Sequence, residues 1–112
     1  MKTMIQALER KGIRPDVWKL EGLDKASQWK SVAKLTKGEL IILGRGSSKK
    51  EVKMWVKAAA ESGVVKGFAI GRTIFFKAIK DYHQKRITRA QAVARIEKNF
   101  LEFIRHFERY AP

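Results

Sequence analysis

At 112 residues the chain has room for one domain, with much of its apolar surface hard to cover. A hydrophobic content of 45% with three Trp and six Phe excludes a disordered chain, the absence of cysteine excludes disulfides and thiolate chemistry, and two histidines argue against a histidine-rich metal centre. The 25 basic and 11 acidic residues leave a formal charge of +14, which points to anionic partners: sugar phosphates, nucleic acid or an acidic protein surface.

Met1, Met4, Ile5 and Leu8 fall at helical spacing and Gly12 follows Lys11, predicting a first helix over about residues 2–11. The opening MKTMIQALER lacks the continuous apolar stretch of a signal peptide, and no apolar run approaches the roughly eighteen residues of a membrane span. A soluble cytoplasmic protein without a membrane partner is therefore expected. After the break at Pro15, Asp16 to Glu21 (DVWKLE) alternates as a short strand, with Val17, Lys19 and Glu21 on one face and Trp18 and Leu20 on the other. Asp24 is read as the cap of a second helix carrying Trp29, Val32 and Ala33 on one stripe, with Gly38 as its stop.

Leu40 to Leu43 (LIIL) is a continuous apolar run, the pattern of a strand buried on both faces in a parallel sheet. Ser48 with Glu51 reads as a capping box for a third helix, its stripe Val52, Trp55, Val56 and Ala59 ending at Ser62-Gly63. Lys66 to Ile70 predicts a third strand, Thr73 to Tyr82 a short helix laid across the sheet end, and Thr88 with Gln91 the cap of a long terminal helix over 88–110. That helix carries Val93, Ile96, Phe100, Phe103, Phe107 and Tyr110 at alternating steps of three and four, a core-facing seam. Strand, helix and strand in alternation make right-handed parallel crossovers, so the fold class is α/β: a partial (β/α) barrel in one domain, with about three parallel strands.

Two glycine turns carry the strongest chemical signal. Gly44-Arg45-Gly46-Ser47-Ser48 joins a buried strand to a capped helix, so backbone N–H groups, the helix dipole and Arg45 surround a concavity suited to phosphate. It is not a dinucleotide fingerprint, for the third glycine is missing, nor a P-loop, for Lys49 does not follow a glycine. Ile70-Gly71-Arg72-Thr73 repeats the arrangement one βα unit later. Lys19 is a lone lysine within a strand; facing a closed interior, its amine would be desolvated and free to attack a ketone, giving an iminium that permits the adjacent carbon–carbon bond to break. Glu21 on the same face is either a proton-transfer partner or, as the simpler reading, an ion pair for Lys19. His83 and His106 read as a surface and a helix-flank histidine, and no metal or cofactor is called for.

Together, PDVWKLEG, LIILGRGSS, GFAIGRTIF and the terminal helix resemble, over about residues 13–108, the uncharacterised domain fused to the 5-dehydro-2-deoxygluconokinase of myo-inositol catabolism. That domain is similar to class I (Schiff-base) aldolases of the tagatose-bisphosphate kind, with an eight-stranded barrel of about 250 residues. The resemblance implies that Asp16, Val17, Lys19 and Glu21 match the Schiff-base strand, with Lys19 and Glu21 catalytic. It also implies that Gly44, Arg45, Gly46, Gly71 and Arg72 hold phosphate. The first five barrel strands have no counterpart here, so the implied lyase acts on or binds a phosphorylated ketose as an incomplete unit, and whether it is an enzyme stays open. Exposed strand edges predict a homo-oligomer or a second chain supplying the missing strands. A non-catalytic phosphate-binding or assembly module and, less favoured, a basic nucleic-acid binder are the alternatives.

Overall fold

The computed structural model describes residues 1–112. Its elements run α1 (Lys2–Arg10), β1 (Val17–Leu20), α2 (Ala26–Ala33), β2 (Glu39–Leu43), α3 (Lys49–Ser62), β3 (Val65–Ala69), α4 (Arg72–His83) and α5 (Arg89–Tyr110). The strands form one open parallel sheet of order β1-β2-β3. The chain is thus α/β, as its alternating pattern predicts. Two right-handed crossovers that step the same way across a sheet put their helices on the same face. Trp18, Leu20, Leu40, Ile42 and Val65 accordingly meet Ile5, Trp29, Val32, Val52, Val56, Ala59 and Phe103 in a single core.

The other face is bare. Val17 and Lys19 of β1 are exposed, as is Glu39 of β2, while Ile41, Leu43, Gly67 and Ala69 are half-buried. The LIIL run is therefore buried on one face and not, as its pattern predicts, on both. The molecule measures 51 × 30 × 19 Å with a radius of gyration of 16.1 Å. A compact chain of this length would have a radius nearer 13 Å. One sheet and one helix layer account for the thin shape.

Local signals place most boundaries. The Glu51 N–H donates to Ser48 Oγ (3.3 Å), and Gly63 ends α3 at φ 72°. Thr88 and Gln91 exchange reciprocal bonds at the start of α5. Asp24 does not cap α2: Lys25 occupies the cap position, and the Asp24 carboxylate instead accepts from Trp55 Nε1 (3.2 Å). Nor does α2 extend to Gly38, since it ends at Ala33. In α5, Phe103 is fully buried and Ile96 and Phe107 partly so, but Val93 is exposed and Phe100 is half-exposed with one edge against the Phe68 ring.

Clips tie α5 to the helices it crosses. Lys49 and Lys53 of α3 both pair with Glu102, and their hydrogen bonds hold its carboxyl at about 2, well below the usual range. Arg95 donates to Asp81 of α4 (2.7 Å), which lowers the Asp81 pKa against the opposing effect of burial. The Nε2 of His106 lies 2.9 Å from the Lys53 carbonyl. No helix is long and apolar enough to cross a membrane.

Candidate anion site at the carboxyl edge of the sheet

In a parallel sheet every strand ends at the same edge, and loops leaving that edge meet one another. Here β2 leads through Gly44–Ser48 into the N-terminus of α3, and β3 leads through Ile70-Gly71 into the N-terminus of α4. The helix dipoles of α3 and α4 therefore present their positive ends along one rim. The two turns are also bonded to each other. Thr73 Oγ1 donates to the Ser47 carbonyl (2.8 Å), and Arg72 Nη2 donates to the Arg45 carbonyl (3.2 Å).

Backbone conformation at the first turn is unusual. Ser47 N–H donates to the Gly44 carbonyl (3.0 Å), closing a tight turn whose central residues Arg45 and Gly46 both have positive φ, 55° and 68°. Glycine adopts such angles freely, whereas an arginine there is strained. The other glycines serve close packing. A side chain on Gly44 would stand 3.2 Å from Ile70, and one on Gly71 would stand 3.1 Å from Phe75. Gly46 meets both conditions, since its Cβ would fall 2.7 Å from the Arg72 guanidinium carbon.

Arg45, Gly46 and Arg72 are thus brought together, with Gly44 and Gly71 behind them. Glu21 also reaches the rim, but its partner is Arg45 (3.5 Å) and not Lys19, because β1 ends one residue earlier and the chain turns toward β2. Lys19 is in no ion pair. It lies in register with Ile41 and Gly67 on the bare face, one strand step below the rim. That position matches the alternation, but solvent on the bare face does not supply the desolvation a nucleophilic amine needs. Ser47 and Thr73 lie within the two turns the sequence marks but carry no assigned role there; only Thr73 places a hydroxyl directly after a Gly-Arg pair.

A concavity of about 640 Å³ opens at the opposite edge between Glu9, Arg14, Asp16, Lys34 and Lys37. Its polar centre is already satisfied. The Thr36 hydroxyl accepts from Trp18 Nε1 and the Gly38 N–H and donates to Glu9 (2.7 Å), joining α1 to the sheet. The rim of Arg45 and Arg72 offers donors with no such internal acceptor beyond Glu21 and one carbonyl.

Residues 1–111 match a protein-family model described as an uncharacterized protein conserved in bacteria (DUF2090). No curated protein and no solved structure matches the chain.

Proposed function

The chain belongs to DUF2090, an uncharacterized family conserved in bacteria, and we propose that this member binds the phosphate group of a phosphorylated ketose at the rim formed by Gly44–Ser48 and Gly71–Thr73. The observation that carries the proposal is Arg45 held at φ 55° beside Gly46. A glycine would relieve that strain, so the guanidinium is what the position retains, and strained residues of this sort cluster where ligands are held. Two guanidinium groups give the paired donors that phosphate accepts well, and the ends of α3 and α4 add backbone N–H groups. The substrate class, a sugar phosphate of carbohydrate or inositol catabolism, follows from the resemblance to class I aldolases, and with it a cytoplasmic location.

Isothermal titration with dihydroxyacetone phosphate and with inorganic phosphate tests the reading. Saturable binding of both, weakened at least tenfold in Arg45→Ala and in Arg72→Ala, is expected. Binding untouched by either substitution would overturn it. Affinity for mixed DNA or RNA that falls steeply with salt would favour a basic nucleic-acid binder instead.

A second reading keeps the Schiff-base chemistry. It is favoured by the position of Lys19 on the same face as Leu43, the residue that leads into the first turn. Borohydride with dihydroxyacetone phosphate should then leave a covalent adduct on Lys19, located by peptide mass; equal trapping in Lys19→Ala would remove the reading.

A further inference from the structure

The bare sheet face combines an apolar centre with charges of both signs. Ile41 and Leu43 of β2, Val17 of β1 (47% exposed) and Ala69 of β3 surround Gly67, above whose backbone there is open space. Lys19 and Glu39 are charges of opposite sign on β1 and β2, and Lys66 adds an exposed cation at the bulge of the edge strand β3. Val17 pairs with Glu39 and Lys19 with Ile41, so the lysine and the glutamate stand diagonally across β1 and β2. Parallel sheets are ordinarily covered on both faces, and the 19 Å thickness of this molecule leaves that second cover outside the chain.

We propose that a second copy of the chain covers this face, related by a twofold axis lying in the plane between the sheets. An axis that bisects the line from Lys19 to Glu39 sets the Lys19 ammonium of each copy over the Glu39 carboxylate of the other. Isologous contacts of this kind require a surface complementary to itself, and one lysine with one glutamate meets that requirement. With ordinary strand spacings the axis passes close to Ile41, so Ile41 faces its own symmetry mate over the flat backbone of Gly67. The net charge of +14 lies almost wholly off this face. Three strands cover roughly 14 by 15 Å, about a quarter of the roughly 800 Å² per partner of a standard interface. The dimer is accordingly weak, forming at high micromolar concentration. It goes beyond the phosphate reading and does not depend on it, because the rim of Arg45 and Arg72 lies at the sheet edge. A Lys19 amine engaged by the Glu39 carboxylate of the other copy is not free to attack a carbonyl, so the dimer and the Schiff-base reading make opposite demands on this residue.

The test is sedimentation equilibrium up to about 1 mM protein in about 0.15 M salt, where the Debye length of about 8 Å screens distant charges but not contacting pairs. Weight-average mass should rise toward twice the chain mass. Lys19→Glu and Glu39→Lys should each weaken association at least tenfold, since both pairs become like-charged. An equimolar mixture of the two variants should associate again, because both pairs are then opposite in sign. As the chain has no native cysteine, Ile41→Cys supplies a second readout: packed sheets stand about 10 Å apart, too far for a direct disulfide, so a bis-maleimide of about that reach should cross-link the dimer, and far more slowly when Lys19→Glu is added. A monomer at every concentration, association indifferent to both charge reversals, or failure of the mixed variants to recover would each overturn the proposal. Phosphate binding unchanged in a chain that stays monomeric would show that the rim reading stands by itself.

Discussion

Replacing Gly46 by alanine loads the rim in two ways whose effects separate by measurement. The residue sits at φ 68°, where an alanine is disfavoured by about 1–2 kcal/mol. Its new Cβ would lie 2.7 Å from Arg72 Cζ, 2.8 Å from Nη2 and 2.9 Å from Nε, all well inside contact distance. Those atoms end a flexible side chain, so the guanidinium swings away and the backbone stays. Arg72 then loses its bond to the Arg45 carbonyl, an exposed contact that adds little to stability. The expected stability loss is therefore the backbone term alone, about 1–2 kcal/mol, or a Tm lower by roughly 4–8 °C. Anion affinity should fall as well, by about tenfold or beyond, as one charge-assisted contact of about 1.5–3 kcal/mol is displaced. Arg45→Gly supplies the contrast: it relieves the φ 55° strain, so Tm should hold or rise while phosphate affinity drops. Calorimetric melting and phosphate titration of both variants decide the matter. Full phosphate affinity in Gly46→Ala, or in Arg45→Gly, would refute the reasoning.

Glu102 makes stability pH-dependent. Its carboxyl lies at about 2 when folded and near 4.5 when free, so its contribution is complete above about pH 4.5 and is lost as pH falls toward 2. The full shift corresponds to about 3 kcal/mol, but with 37% of the side chain in solvent an effect nearer 1 kcal/mol is expected, absent in Glu102→Gln; urea melts at pH 6 and pH 3 measure it. In Gly22→Ala the new methyl would meet the Trp55 ring at 2.4 Å, so the ring and its bond to Asp24 must move; about 1–3 kcal/mol of destabilisation and a changed Trp fluorescence should result. Phe103→Ala removes the fully buried aromatic of α5 and should cost about 3–5 kcal/mol by chemical denaturation, while Phe100→Ala, exposed on the same helix, should cost far less.

The sequence by itself determined what is local. The alternation of Val17 to Leu20 set which side chains share a face, and the burial of Trp18 and Leu20 follows it. Ser48, Gly63 and Thr88 ended or began helices where cap chemistry requires, because a cap is settled within one turn of backbone. The Gly-Arg turns were legible for the same reason, and parallel strands bring such turns to one edge whatever else surrounds them. What depended on partners distant in the chain was decided only by the tertiary structure. Asp24 went to Trp55 and left the cap of α2, and Glu21 went to Arg45 and left Lys19, since a carboxylate takes the donor that packing brings within reach. LIIL carries no mark of how many layers will cover it. Both crossovers step the same way, so the helices gather on one face, and Lys19 stands in the open beside Ile41 rather than in the enclosed interior its neighbours suggested.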